Sequence, residues 1–256
     1  MQTKVTFLGT GTSQGMPLIA CPCQICQSTD PLNKRLRSSI KVECEGKTIV
    51  FDSGPDFRQQ MLRSETKKLD ALVFTHEHKD HIAGMDDIRA FNYINKRAID
   101  VYATLQVQSA LKREYQYVFS DFKYPGIPDI HLNTIENNLD FHVGDVCIKP
   151  IEVMHYKLPV LGFRINDFTY ITDANFISDS EKEKIKGSKV LVLNALRREK
   201  HISHFTLDEA IALGRELEIP EVYFTHISHQ LGLHHEVDAQ LPDGFHLAYD
   251  GLELLI

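Results

Sequence analysis

No run in this sequence is apolar over enough residues to span a bilayer as a helix, which argues against a membrane-spanning helical protein. The opening stretch, Met1-Gln2-Thr3-Lys4-Val5-Thr6-Phe7-Leu8-Gly9, lacks the apolar core of a signal peptide. Positive charge is also short. The chain has 28 Lys and Arg against 35 Asp and Glu, a net charge of -7 with histidine neutral. This disfavours long nucleic acid as a partner, because polyanion binders carry basic surfaces. It leaves room for a small anion held by metal ions, which would offset the negative charge locally. Cysteine is scarce: five residues, three of them within Cys21-Pro22-Cys23-Gln24-Ile25-Cys26. Such clustering suits a metal site rather than a disulfide framework. With the missing signal core, it sets the expected compartment as a reducing cytoplasm. Cys44 and Cys147 fall in strand-like runs and are expected to be buried thiols.

The remaining composition is that of an ordinary globular protein, 43% hydrophobic and 25% charged. No repeat or low-complexity linker divides the chain, so residues 1–256 are read as a single domain. The densest chemistry lies in His76-Glu77-His78-Lys79-Asp80-His81, directly after the apolar run Leu69-Asp70-Ala71-Leu72-Val73-Phe74 and Thr75. On extended backbone His76 and His78 point the same way, since side-chain direction has period 2. Asp80 and His81 follow where the chain turns into a helix. One pair suits one metal ion and the other pair a second ion beside it. Imidazole and carboxylate accept zinc, manganese or iron.

Strands are predicted over residues 5–8, 39–43, 48–51, 99–103, 146–153, 162–171, 189–193 and 222–224. Strand-like alternation closes the chain over 245–255. Helices are predicted over 56–63 with Asp56 as cap, over 82–95, after the cap Thr104, over 180–186, and over 207–218 with Thr206 as cap. The Thr104 helix carries Val107, Leu111, Tyr115 and Val118 on one face. Residues 121–138, rich in Pro, Asn and Asp, are expected to form a loop on the substrate side. The glycines between Gly9 and Gly15 precede Met16-Pro17 rather than a helix, so they are read as a pocket-lining turn and not a phosphate cradle. Strands in both halves with helices between them suit two sheets between helical layers.

A two-metal site needs more ligands than the hexapeptide supplies, and they belong at strand ends. Three positions fit: His155 after Val153-Met154, Asp173 after Tyr170-Ile171-Thr172, and His226 after Val222-Tyr223-Phe224-Thr225. The order H-x-H-x-D-H, then His, Asp and His, resembles the metallo-β-lactamase superfamily of dinuclear hydrolases. The resemblance implies an αββα sandwich. It implies that His76, His78 and His155 hold one metal, that Asp80, His81 and His226 hold the other, and that Asp173 bridges them.

A closer resemblance is to the subfamily of phosphodiesterases acting on phosphoribosyl cyclic phosphate. It is carried by the loop from Gly9 to Pro17, the cysteine cluster, His155-Tyr156-Lys157-Leu158, Thr225-His226-Ile227-Ser228-His229-Gln230, and Leu241-Pro242 with Gly244-Phe245. In that subfamily the second histidine of T-H-I-S-H completes a zinc site. The resemblance therefore implies one structural zinc on Cys21, Cys23, Cys26 and His229, stapling the N-terminal loop. The dinuclear centre would activate water against phosphorus, with Asp80 and Asp173 as catalytic carboxylates. His204, just before the 207–218 helix, is the expected general acid; the helix N-terminus is expected to lower its pKa. His201 is a weaker rival. Asp52 is expected to support a ligand imidazole from behind. Lys157 is a candidate contact to substrate phosphate, and His234 and His235 are read as loop histidines. The expected partner is a small phosphorylated substrate, not a membrane; a homodimer is compatible with the sequence. Two rival activities use the same centre: tRNA 3′-end endonuclease cleavage, which calls for a basic RNA-gripping arm that is not evident here, and lactone or thioester hydrolysis.

Overall fold

The computed structural model describes residues 2–121 and 124–256. Two seven-stranded sheets face each other. In the first the order is β14-β1-β2-β3-β4-β5-β6. It comprises β1 (Lys4–Gly9), β2 (Ser39–Cys44), β3 (Lys47–Phe51), β4 (Ala71–Val73), β5 (Ile99–Ala103), β6 (Ile130–Thr134) and β14 (Glu253–Leu255). The second has the order β13-β12-β11-β10-β9-β8-β7. Its strands are β7 (Phe141–Val143), β8 (Val146–His155), β9 (Leu158–Ile165), β10 (Phe168–Ile171), β11 (Val190–Asn194), β12 (Glu221–Thr225) and β13 (Phe245–Leu247).

Both sheets are mixed. β3 through β6 run parallel, as do β10 through β13, while the strands on the other side of each sheet are antiparallel. The helices are α1 (Gln24–Gln27), α2 (Phe57–Arg63), α3 (Lys79–Ile82), α4 (Arg89–Asn95), α5 (Leu105–Glu114), α6 (Gln116–Phe119), α7 (Asp179–Ile185), α8 (Leu207–Glu216) and α9 (His234–Asp238).

Side-chain alternation builds the layers. In β3, Ile49 and Phe51 point between the sheets while Val50 points to the helices. β4 repeats this, with Ala71 and Val73 inward and Leu72 outward. In β11, Val190 and Val192 face the other sheet, and Leu191 and Leu193 face Ala210 and Leu213 of α8. Both faces of these strands are buried, so they read as continuous apolar runs. The three apolar clusters, one between the sheets and one outside each, are the αββα sandwich expected from the sequence.

Local signals explain the element ends. Glu45 and Gly46 both have positive φ, which the two-residue turn between β2 and β3 requires. The Thr104 hydroxyl accepts from the Val107 N–H, and Thr206 and Glu209 form a reciprocal capping box on α8. Asp56 does precede α2, but its carboxylate accepts from Arg37 instead of capping the helix.

Several predicted elements are corrected. The 82–95 helix is broken into α3, a 3-10 turn over Met85–Ile88 and α4. Gly84 sits at the break, where a Cβ would lie 2.1 Å from the Gly54 carbonyl oxygen. The 162–171 strand is a hairpin of β9 and β10, folded at Asn166-Asp167 with Asn166 left-handed. Segment 245–255 is two strands, β13 and β14, in different sheets. The 121–138 loop contains β6, the edge strand parallel to β5; Phe122 and Lys123 lie outside the described residues. Ile130 and Leu132 pack on the helical layer, but an edge strand of five residues flanked by polar ones carries little sequence signal. Cys44 is buried as expected, whereas Cys147 is exposed, because β8 lies near the sheet edge and turns that residue outward.

Candidate metal centre

Four strand ends and one short helix converge on one rim of the sandwich. β4 leads through Thr75 into His76 and His78, and α3 carries Asp80 and His81. β8 ends at His155, β10 leads to Asp173, and β12 leads to His226. The donor atoms form two overlapping groups. His76, His78, His155 and Asp173 make one; Asp80, His81, Asp173 and His226 make the other, with the atoms of each group within 4.8 Å of one another. Asp173 belongs to both. Its Oδ1 lies 3.5 Å from His81 Nε2 and 3.0 Å from His226 Nδ1, and its Oδ2 lies 3.8 Å from His76 Nε2.

The backbone is bent to achieve this. Asp173 and His226 have φ of 56° and 54°, the left-handed region. Asp and His are among the non-glycine residues that tolerate it best. Gly54 is required for another reason: a Cβ there would lie 2.0 Å from the Asp80 carbonyl oxygen. Its absence lets the loop after β3 pack directly on the motif.

The imidazoles are oriented from behind. His81 Nδ1 lies 2.7 Å from Asp52 Oδ2, and Asp52 is fully buried. Asp52 also accepts from the Thr75 N–H and hydroxyl, at 2.9 and 2.8 Å. The Thr75 oxygen lies 3.0 Å from His76 Nδ1, and His155 Nδ1 donates to the Ser203 carbonyl at 2.9 Å. Each of these three rings is thereby held with Nε2 toward the centre, the arrangement a metal ligand needs. Asp52 thus takes the supporting place expected for it.

The donor set also fits divalent cations electrostatically. Burial would push the Asp173 carboxyl up, but His226 and His81 hold it well below the usual range. Burial would likewise lower His81, yet Asp173, Asp52 and Asp80 raise it well above the ordinary histidine value. The carboxylates recruit a proton where a cation belongs. His81 Nε2 is buried and makes no hydrogen bond of good geometry, and His76 Nε2 faces His78 Nδ1 at 3.0 Å. Two ring nitrogens aimed at one another, and a third that faces Asp80 Oδ2 at 3.1 Å without a well-formed hydrogen bond, are groups that metal ions would satisfy. His78 is the exposed member of the set, so the centre opens to solvent on its side.

His204 lies against this centre, its ring 4.6 Å from that of His155 and 4.8 Å from that of His226. Its pKa is lowered to about 3, as the sequence predicts in direction, but burial is the first cause and His226 the next, rather than the helix end. Its Nδ1 is buried without a hydrogen-bond partner. His201 sits beside it, with ring centroids 5.1 Å apart. Lys157 lies on the exposed turn after β8, its Nζ 5.3 Å from the centre of the Tyr156 ring. The glycine turn packs behind the centre, where Thr12 Oγ1 lies 3.3 Å from His226 Nε2.

A second group gathers Cys21, Cys23, Cys26 and His229. His229 Nδ1 is 3.2 Å from Cys23 Sγ and 3.6 Å from Cys21 Sγ. The hydrogen bond from His229 pulls the Cys23 thiol down to about 6, whereas burial pushes Cys26 up to about 11. Three sulfurs and one nitrogen suit a closed zinc site. His234, read as a loop histidine, instead opens α9. It is buried, and its Nδ1 lies 2.9 Å from Arg35 Nη2.

This fold, with its rim of His and Asp, is of the metallo-β-lactamase type. The profile of the β-lactamase superfamily domain matches residues 47–227. The crystal structure of a new diphosphatase from the PhnP family superposes with a TM-score of 0.94 at 37% identity, over 100% of this chain and 98% of that one. The chain belongs to the β-lactamase superfamily and, within it, is PhnP-like. It is also 39% identical over 255 residues to an octanoyltransferase of Porphyromonas gingivalis, covering 99% of this chain and 51% of that protein. A ribonuclease Z of Acaryochloris marina is 29% identical over 168 residues, 64% of this chain and 48% of the relative. The chain thus spans about half the length of these curated relatives, and the name octanoyltransferase carries no activity onto it. Among the described residues, no helix is long and apolar enough to cross a membrane.

Proposed function

We propose that this protein is a phosphodiesterase acting on small phosphodiesters, such as phosphoribosyl cyclic phosphate or a 2′,3′-cyclic nucleotide. The observation that carries the reading is the paired donor set sharing Asp173, in a chain similar to a PhnP-family diphosphatase. In this reading residues 1–256 act as one cytoplasmic hydrolase domain. His76, His78 and His155 would hold one zinc or manganese ion, Asp80, His81 and His226 the other, and Asp173 both. Cys21, Cys23, Cys26 and His229 would hold a structural zinc. When bound, the two ions supply positive charge that polarises a phosphoryl oxygen and makes water a better nucleophile.

The residues of the chain do the rest. Asp173 and Asp80 set where charge accumulates. Asp52, Thr75 and Ser203 keep the ligand rings in one tautomer. His204 holds the proton for the leaving sugar oxygen. The charge of a bound phosphoryl group favours its protonated form, countering the burial that lowers its pKa.

A second reading, cleavage of precursor tRNA, is favoured by the ribonuclease Z similarity and opposed by the net charge of -7. The test is a panel with the zinc- and manganese-loaded protein: ribose cyclic phosphate, 2′,3′-cyclic nucleotides, bis-p-nitrophenyl phosphate, a lactone, a thioester and a precursor tRNA. Turnover confined to the small phosphodiesters is expected. Cleavage of tRNA alone, or of acyl substrates alone, would overturn the proposal.

A further inference from the structure

A cavity of about 360 Å³ adjoins the candidate centre and shares His76 as part of its wall. Ligand sites span about 300–1,000 Å³, so the space is of ligand size. It lies between the His76-Glu77 turn, the start of α5, the segment after β6, and β9.

Its chemistry is one-sided. Among the described residues no Lys or Arg lines it, while Glu77 and Glu136 do. Gln106 spends an amide N–H on Glu77, at 2.7 Å, and Asn137 spends one on Glu152. Each keeps its amide oxygen and a second N–H for a newcomer. The Glu136 carboxylate has no hydrogen bond or ion pair among the described residues. The other walls are apolar, with Leu105, Ile135 and Leu161 among them. The cavity is thus an apolar slot whose only charged groups, among the described residues, are two acceptor carboxylates. A second phosphate would be repelled there. A flat ring with apolar faces and N–H groups at its edge matches both features.

We propose that this cavity binds an amino-bearing nucleobase, adenine or cytosine, attached to the phosphoryl group that reacts at the metal centre. The inference rests on the phosphodiesterase reading for the position of that phosphoryl group. It makes Glu77 and Glu136 specificity residues.

The test uses the metal-loaded protein and p-nitrophenyl esters of adenosine 5′-phosphate, inosine 5′-phosphate and methyl phosphate. Inosine replaces the amine with a carbonyl. Equilibrium binding of AMP and IMP, by calorimetry, reads the cavity independently of turnover. The adenosine ester is expected to exceed the inosine ester in kcat/KM by about tenfold or more, the size of one charge-assisted hydrogen bond. AMP is expected to bind correspondingly tighter than IMP. Glu136→Gln should shrink both ratios. Leu105→Trp, at a position 67% exposed where folding tolerates the change, should fill the slot and bring the ratio of adenosine to methyl ester toward one. Turnover of all three esters at equal efficiency overturns the base site and spares the phosphodiesterase reading. No turnover with AMP preference intact overturns the reaction and supports the site. A preference that survives both variants places the base elsewhere and overturns the assignment.

Discussion

The nitrogen and oxygen donors around Asp173 stand at strand ends and on the short helix α3, and all but His78 are at least partly shielded from solvent. Cys21, Cys23, Cys26 and His229 stand on loops and a single helical turn, and only Cys26 is buried. The first cluster is rigid because its supports are elements of both sheets, and it stays open at His78, as a catalytic site must. The second has four donors and no spare position, which suits a staple. The two are joined by sequence: His226 and His229 lie three residues apart after β12. In the proposed reading the same turn would serve chemistry on one side and fold stability on the other.

Breaking the first cluster should have the largest effect. His78→Ala should lower hydrolysis of bis-p-nitrophenyl phosphate by more than about a hundredfold, beyond the 10–100-fold typical of outer-shell partners. Metal analysis should find fewer ions per chain while the melting temperature stays near wild type, because His78 is exposed. Undiminished activity would remove it from the centre.

His204→Ala should keep the metals but lower kcat on 2′,3′-cyclic nucleotides about a hundredfold, in the range of general acid catalysis. On the activated p-nitrophenyl ester, whose leaving group needs no proton, the loss should be much smaller. Equal losses on both esters would deny it the acid role. Asp52→Asn should weaken metal affinity about 10–100-fold, read by titration with a chelator, since His81 would lose its carboxylate partner.

Cys23→Ser probes the other side of the comparison. It should release about one zinc per chain and lower the melting temperature by roughly 5–10 °C, with a smaller effect on kcat than His78→Ala. An unchanged zinc count would dismiss the staple.

The smallest effect is expected outside both clusters, at His234, which lies beside the cysteine-bearing loop through Arg35 and Asn33. Burial first, and then Arg35, lower its pKa to about 4 from 6.5. Between those values the unfolded chain takes up a proton that the fold refuses. The His234 contribution to stability is therefore complete above pH 6.5, declines as pH falls toward about 4, and levels off below that. Thermal melts from pH 7 to 4 should show this slope in wild type and a shallower one in His234→Gln. Identical slopes would mean that His234 does not titrate differently in the two states.

Legibility in the sequence follows the range of each interaction. The contiguous ligands, His76, His78, Asp80 and His81, could be read directly, because period-2 direction and a following helix are local facts. His155, Asp173 and His226 were readable as strand-end donors. Their left-handed backbone, which turns Asp173 and His226 into the centre, gave no signal before the structure. Cys147 departs from the expected burial because alternation says which residues share a face, not which face meets solvent near a sheet edge. Strand β6 was hidden for a related reason. Its partner, β5, lies about thirty residues away, and its own residues lack a strong pattern. His204 was found as a position before a helix, but the burial that governs its pKa belongs to the packed rim.

The sequence by itself determined the chemistry available: imidazoles and carboxylates in one set, thiolates in another, and strands apolar enough to be buried on both faces. Those are properties of residue type and short-range spacing. Only the tertiary structure decided which donors meet, that Asp52 stands behind His81, that Asp173 lies in both groups, and that an acceptor-lined cavity adjoins His76. These are contacts between segments tens to hundreds of residues apart, brought within hydrogen-bonding reach by strand pairing within a sheet, as for Asp52 and His81, and by the packing of two sheets face to face.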